Sequence, residues 1–310
     1  MAGTPEKLDR IYYGGQAVME GVMIRGPRHM AVAVRHPKGH IVQHSEELKG
    51  VYTSKVRKIP VVRGAVVLWE TMALGMRALT YSSRIAFEEE GSDGEPGKFP
   101  EGVFWGSMAI ALAFVGVVFF AGPILLSNLL GSWDWPRAAI VAVEGIIRLG
   151  FLVLYMWLIG RMKEIRRVFQ YHGAEHMTIH AYEAGRPLTP EEVRRFPKEH
   201  QRCGTSFLLV VIVMAFITFL VFDLLIDEGM LVRVASRIVF IPFVAGVSYE
   251  ILRFGARFND HKLVQAMFKP NIALQALTTS VPDDAQIEVA IASFNSVLEI
   301  ASRDDPTIQT

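Results

Sequence analysis

The chain has one cysteine in 310 residues, Cys203, so no disulfide can close within it. Net charge is nearly absent too: 32 Lys and Arg stand against 31 Asp and Glu, a balance of +1. That balance offers no argument for a nucleic-acid partner, and none is expected. The polar opening "MAGTPEKLDR" has no apolar core of the kind a cleavable signal peptide needs. Internal repeats and long low-complexity tracts are missing. The glycines of "GGQAVMEGVMIRGP" do not have the spacing of a nucleotide-binding loop.

What the chain has in quantity is apolar surface. Hydrophobic residues make up 51% of it and the mean hydropathy is +0.29. Four runs approach the roughly 20 residues that cross a bilayer, at about 103–130, 138–160, 204–226 and 231–252. The first, "VFWGSMAIALAFVGVVFFAGPILL", carries no charge. A soluble helix of that length keeps charges on one face, so the expectation is a polytopic, mainly α-helical membrane protein with about four spans.

Loop charge then orients the spans. Arg161, Lys163, Arg166, Arg167, Arg186, Arg194, Arg195, Lys198 and Arg202 crowd the loop at 161–203. The connection "GSWDWP" has only Arg137 beside it, and the turn "DEG" is acidic. The 161–203 loop is therefore expected on the cytoplasmic side of a bacterial inner membrane, with both termini on that side. Trp133 and Trp135 would then mark the outer interface. Four spans form a thin bundle, which is compatible with a homo-oligomer.

The remaining segments divide the chain further. Residues 1–60 read as a cytoplasmic β element, because "MAVAVRHPKGHIVQHSEEL" places two alternating runs around a glycine turn. The histidines at 29, 36, 40 and 44 are expected on the surface of that hairpin. Residues 61–88 form an amphipathic helix in which Arg63, Glu70, Arg77 and Arg84, seven apart, share one face. Such a helix suits a membrane interface or a groove between spans. Residues 89–102 read as a linker and 103–252 as the membrane domain. Residues 253–310 form a cytoplasmic tail ending in an amphipathic helix after Pro282.

The chemistry concentrates in "YHGAEHMTIH", where His172, His176 and His180 recur every four residues along one helix face. H-x-x-E-H is the inverted zinc-enzyme pattern: two imidazoles hold the ion and the glutamate, here Glu175, handles a proton. The spacing matters because both ring nitrogens must reach one ion at about 2 Å. A surface helix that happens to carry histidines is the bland alternative. "HQRCGTSF" counts against it by adding His200 and Cys203 just before a span. Glu250, at the cytoplasmic end of the fourth run, is a further candidate, since a carboxylate there is costly unless paired or coordinating. The third ligand is left open among His200, Cys203 and Glu250, with His180 and Glu183 in support. Within the runs, Glu144, Arg148, Arg233 and Arg237 are expected to pair with one another; a polar route for transport is the other reading.

"GGQAVMEGVMIRGP", "RGAVVLWETMALGMRAL", "YHGAEHMTIHAYEAG", "HQRCGTSF" and "QALTTSVPDDAQIEVAI" resemble the YqhQ-like bacterial family of membrane proteins, grouped under a domain of unknown function (DUF1385). The likeness runs over roughly 11–300. It implies a metal-dependent membrane enzyme in which His172, Glu175, His176, His200 and Cys203 occupy the motif positions. The reading that results is a hydrolase with a divalent cation, zinc foremost, and Glu175 as general base. Its partners would be the lipid bilayer and a membrane-associated substrate, lipid-linked or protein. A scaffold with a structural metal and a small transporter are the alternatives.

Overall fold

The computed structural model describes residues 13–49, 56, 59–86, 101–131, 135–200, 203–226, 230–258 and 261–304. Trp133, Arg202, most of the expected linker and the side chain of Arg233 lie outside the described residues.

Four strands, β1 (Gly14–Val18), β2 (Gly21–Arg25), β3 (His29–Arg35) and β4 (Ile41–Glu47), form an antiparallel meander in the order β1-β2-β3-β4. The turn between β3 and β4 needs Gly39, whose φ of +92° is a conformation that side-chain-bearing residues avoid. Alternation along β2 and β3 sends Val22, Ile24, Ala31 and Ala33 to one face and Met23, Met30, Val32 and Val34 to the other. Both faces are covered. The first packs against α5 (Lys163–Glu183) and α11 (Asp284–Asp304), through residues including Tyr171, Ala174, Ile287 and Phe294. The second packs against α1 (Val62–Ala86), through Leu74 and Ala78. Burial on both faces explains why "MAVAV" is apolar at every position.

The hairpin histidines are not all at the surface. His29 is buried and lies 2.6 Å from Asp304 of α11, and His36 is buried as well, whereas His40 and His44 are exposed. For His29, the tail helix closing over the sheet is the cause, a contact across 275 residues that a local pattern cannot show.

The apolar runs form α2 (Glu101–Val115), α3 (Gly122–Gly131), α4 (Arg137–Ile159) and α7 (Gly204–Leu225), with a π-helical turn at Gly116–Ala121 joining α2 to α3. Among the described residues, three stretches are long and apolar enough to cross a membrane: Trp105–Ser127, Ala138–Ile159 and Phe207–Leu225. The fourth run differs from expectation. It divides into α8 (Met230–Val239) and α9 (Ile241–Arg257), with Pro242 in the first turn of α9. Proline is tolerated there because that turn has no intrahelical acceptor for its missing N–H.

The buried ionisable side chains described among the apolar helices are paired. Arg148 donates to Glu144 at 2.9 Å and, through Nε, to the carbonyl of Phe119 at 2.9 Å. Phe119 belongs to the π-helical turn, where the wider ladder makes a carbonyl available to an outside donor. Arg237 of α8 donates to Asp223 at 2.7 and 3.1 Å and stands 4.0 Å from Glu144. Asp223 is a partner the sequence reading had not singled out.

The charged stripe of α1 faces the protein. Arg63 pairs with Glu250 of α9, Glu70 with Arg25 of β2 at 3.2 Å, and Arg77 with Glu46 of β4 at 2.6 Å. Trp69 and Met72 point outward instead, 71% and 59% exposed. Helix α1 also crosses α9 closely. A Cβ on Gly64 would come within 2.7 Å of the Cα of Gly246.

The remaining elements are α6 (Pro190–Val193), a single turn, and α10 (Lys262–Thr278), whose C-terminal end reaches the ends of α4 and α5. There, the carbonyl of Leu277 lies 3.6 Å from where a Cβ on Gly160 would be, and Ser280 N–H bonds to Phe169 at 2.9 Å.

Candidate metal centre

Helix α5 begins four residues after α4 ends, and Cys203 immediately precedes α7. The histidine stretch thus lies where two apolar helices end. Its register on α5 turns Tyr171, Ala174 and Ile179 toward the sheet and tail helix, while Glu175 is buried against Gly15 of β1 and His176 beside the Lys198 carbonyl.

His172, His176 and Cys203 place their ligand atoms within 4.8 Å of one another. His172 Nε2 lies 3.2 Å from the Cys203 sulfur. Tetrahedral zinc bonds, about 2.0 Å to nitrogen and about 2.3 Å to sulfur, require donors roughly 3.3–3.8 Å apart, so small adjustments bring this set into range.

The outer nitrogens decide how the rings present themselves. His172 Nδ1 is 2.9 Å from the carbonyl of Thr278, and His176 Nδ1 is 2.6 Å from the carbonyl of Lys198. A carbonyl can only accept, so each Nδ1 carries the proton and each Nε2 keeps its lone pair directed inward. A carbonyl behind the imidazole is the support that metal-ligating histidines typically have. Burial, followed by neighbouring His172, pushes His176 well below its ordinary value and holds the ring in the neutral, ligating form.

Glu175 is 3% exposed. Its carboxylate stands 3.9 Å from His172 Nε2 and 3.7 Å from His176 Nε2. Burial pushes its pKa up to about 8, against the opposing pull of His172 and of the Gly15 N–H that donates to it. The carboxyl is therefore poised to hold a proton near neutrality.

Gly15 matters for another reason. A Cβ there would lie 2.7 Å from Cγ and Oε1 of Glu175 and 2.7 Å from the carbonyl of Met23. The second glycine of β1 thus makes room for the Glu175 carboxyl. We expect Gly15→Ala to lower stability by about 1–3 kcal/mol through overpacking and to displace Glu175. Thermal unfolding of the detergent-purified protein would reveal it; an unchanged midpoint would mean the strand yields freely.

The remaining candidates fall elsewhere. His200 joins His180 and Glu183, whose ligand atoms also lie within 4.8 Å of one another, rather than completing the first set. Glu250 joins neither group: its carboxylate accepts from Arg63 at 2.6 Å and from the Val61 N–H at 3.1 Å. The cost of a carboxylate at that helix end is thus offset by a guanidinium, which the sequence could not distinguish from coordination. Arg167 pairs with Glu20, so it serves the β1–β2 turn. Arg166 is exposed.

Sequence reasoning missed the supports contributed by the end of α10. Thr278 holds His172. Gln275 clamps the His200 backbone, accepting from its N–H and donating to its carbonyl, both at 2.8 Å. Lys198 donates to the Thr279 hydroxyl at 3.0 Å. Gly173 lets this segment approach, since a Cβ there would be 2.3 Å from the Ser280 carbonyl. "QALTTSVPDD" was visible as a motif but carried no recognisable chemistry, because its contribution is mostly backbone carbonyls.

The profile of the family described as "Protein of unknown function (DUF1385)" matches residues 59–300. The chain is also 35% identical over 303 residues to the "Uncharacterized protein YqhQ" of Bacillus subtilis (strain 168), covering 93% of this chain and 92% of that relative. No solved structure matches.

Proposed function

This chain belongs to the DUF1385 family, and from that starting point we propose that it is a zinc-dependent hydrolase anchored in the bacterial inner membrane and acting at the cytoplasmic face on a membrane-associated substrate. One observation carries the proposal: two imidazoles with Nδ1 protons committed to carbonyls turn their Nε2 atoms toward a thiol, with a buried carboxyl between them.

Zinc in this N, N, S set would supply Lewis acidity to a bound carbonyl or phosphoryl group. His172, His176 and Cys203 would hold and orient it. Glu175, deprotonated once a cation is bound beside it, would take a proton from the attacking nucleophile and return it to the leaving group. The Gly15 N–H and the walls of β1 would keep the carboxyl aimed and shielded from bulk water.

A lipid-linked molecule or a protein segment at the bilayer surface is the substrate class in keeping with the surroundings. Met162, Met267 and Val281, on segments near the ends of α4, α5 and α10, are 53%, 69% and 70% exposed. Apolar side chains of that size in contact with lipid would bring such a substrate to the site without passage through water. We read the outward Trp69 and Met72 of α1 in the same way, as interfacial anchors. The α8–α9 pair would supply the fourth crossing, returning both termini to the cytoplasmic side where the basic 161–203 loop lies.

A membrane scaffold with a structural zinc is the second reading, favoured by the burial of His176 and Cys203. Glu175→Gln separates the two. In a hydrolase it should retain zinc and lower turnover about 100- to 10,000-fold on lipid-linked esters or membrane peptides in proteoliposomes. A scaffold would show no turnover in either form. Loss of zinc in Glu175→Gln would make the carboxylate a ligand rather than a base.

A further inference from the structure

The geometry points to a second divalent-cation site beside the first, formed by His180, Glu183 and His200. It goes beyond the hydrolase reading and has its own ligands, so each can fail without the other.

Helix α5 repeats its own device. His172 and His176 are one turn apart, and His180 and Glu183 continue the same face a turn further on. Two further residues then contribute one ligand to each level: Cys203 faces His172 and His176, and His200 faces His180 and Glu183. The three ligand atoms of the second group lie within 4.8 Å of one another. His200 Nε2 is 3.6 Å from Glu183 Oε2, and the His180 and His200 rings are 4.5 Å apart.

These residues are also held in place. His180 Nε2 is 2.8 Å from the carbonyl of Glu199, so that nitrogen carries the proton and Nδ1 keeps the lone pair. The His180 ring stacks on Phe196, 6.4 Å away and 7° from parallel. The His200 backbone is clamped by both ends of the Gln275 amide. His200 is 6% exposed, and its ring centroid lies 5.6 Å from that of His176, so the two groups adjoin.

The donor chemistry differs between the levels. Two imidazoles and a thiolate form a soft set suited to zinc. Two imidazoles and a carboxylate form a harder set that accepts manganese, iron(II), cobalt or zinc and leaves further positions to solvent or substrate. The second group is also the more open, with the Glu183 side chain 27% exposed against 4% for Glu175. A cation there would be exchangeable and would face any anionic group that entered beside the first site.

The test is to load the purified full-length protein in nanodiscs with cobalt(II) and measure bound metal and absorption together. The wild type should bind two equivalents and show a thiolate-to-cobalt charge-transfer band. His180→Gln and Glu183→Gln should each retain one equivalent and keep the band. His172→Ala with His176→Ala should also retain one equivalent, without the band. A single equivalent unaffected by His180→Gln and Glu183→Gln would overturn the second site and leave the first standing. A single equivalent lost in those variants, with no band in the wild type, would keep this site and remove the zinc-hydrolase reading. Should His180→Gln fail to fold, Glu183→Gln alone decides, since its partly exposed side chain is not part of the core.

Discussion

His172→Ala combined with His176→Ala should strip the protein of tightly held zinc. Altering the hydrogen-bond supports of a metal-bound histidine already costs about 10- to 100-fold in affinity, so removing two ligands should exceed that range. The effect comes from geometry as much as from donor count. Each ring is pinned by a carbonyl on a different segment, Thr278 at the end of α10 and Lys198 before α7. The unfolded chain has neither tether, so a large part of the binding free energy is bound up with folding the site. Elemental analysis of the purified variant, with Cys203→Ser as a companion, is the measurement. Zinc content equal to wild type in the double variant would eliminate the site. In Cys203→Ser, weaker retention with the fold intact is expected, because a hydroxyl is a poor substitute for thiolate.

Arg237→Leu should be the most damaging single change among the apolar helices. Arg237 is 1% exposed, holds Asp223 with two hydrogen bonds, and lies 4.0 Å from Glu144. Removing one partner of a buried ion pair costs about 3–5 kcal/mol, because the charge left behind has lost its compensation. Arg237→Leu with Asp223→Leu should recover most of that loss. Replacing both members with apolar groups removes the stranded charge, and Glu144 retains Arg148. Detergent-solubilised thermal unfolding, or the rate of limited proteolysis, would compare the three proteins. A double variant as unstable as the single one would show that Arg237 acts through packing, against Phe219 for example, 4.4 Å beneath its guanidinium. The pairing also bears on the transport alternative. Glu144, Arg148, Asp223 and Arg237 neutralise one another in the structure, as expected of charges that stabilise a helix bundle.

Helix α1 connects the sheet to the helices. Three of its four heptad-spaced charges are satisfied by Arg25, Glu46 and Glu250, two of them on the sheet. The helix therefore ties the β element that shields Glu175 to α9. Trp69 and Met72 stay exposed on its outer side.

Sequence periodicity alone determined three of the four long apolar helical runs, the β3–β4 hairpin and the i, i+4 histidines. Each depends on neighbours within a few residues: hydropathy summed along a run, alternation along a strand, one helical turn between imidazoles. Only the tertiary structure decided the ligand sets. Cys203 meets His172 across 31 residues, and the carbonyl supporting His172 comes from 106 residues away. Glu250 looked like a ligand because a carboxylate at a helix end needs a partner; which partner depended on α1 crossing α9, and it was Arg63. His200 and Cys203 are three residues apart and looked like alternatives for one ion, yet they face α5 at different levels. Composition reveals that a polar group in an apolar setting must be satisfied. The packing of distant elements chooses what satisfies it.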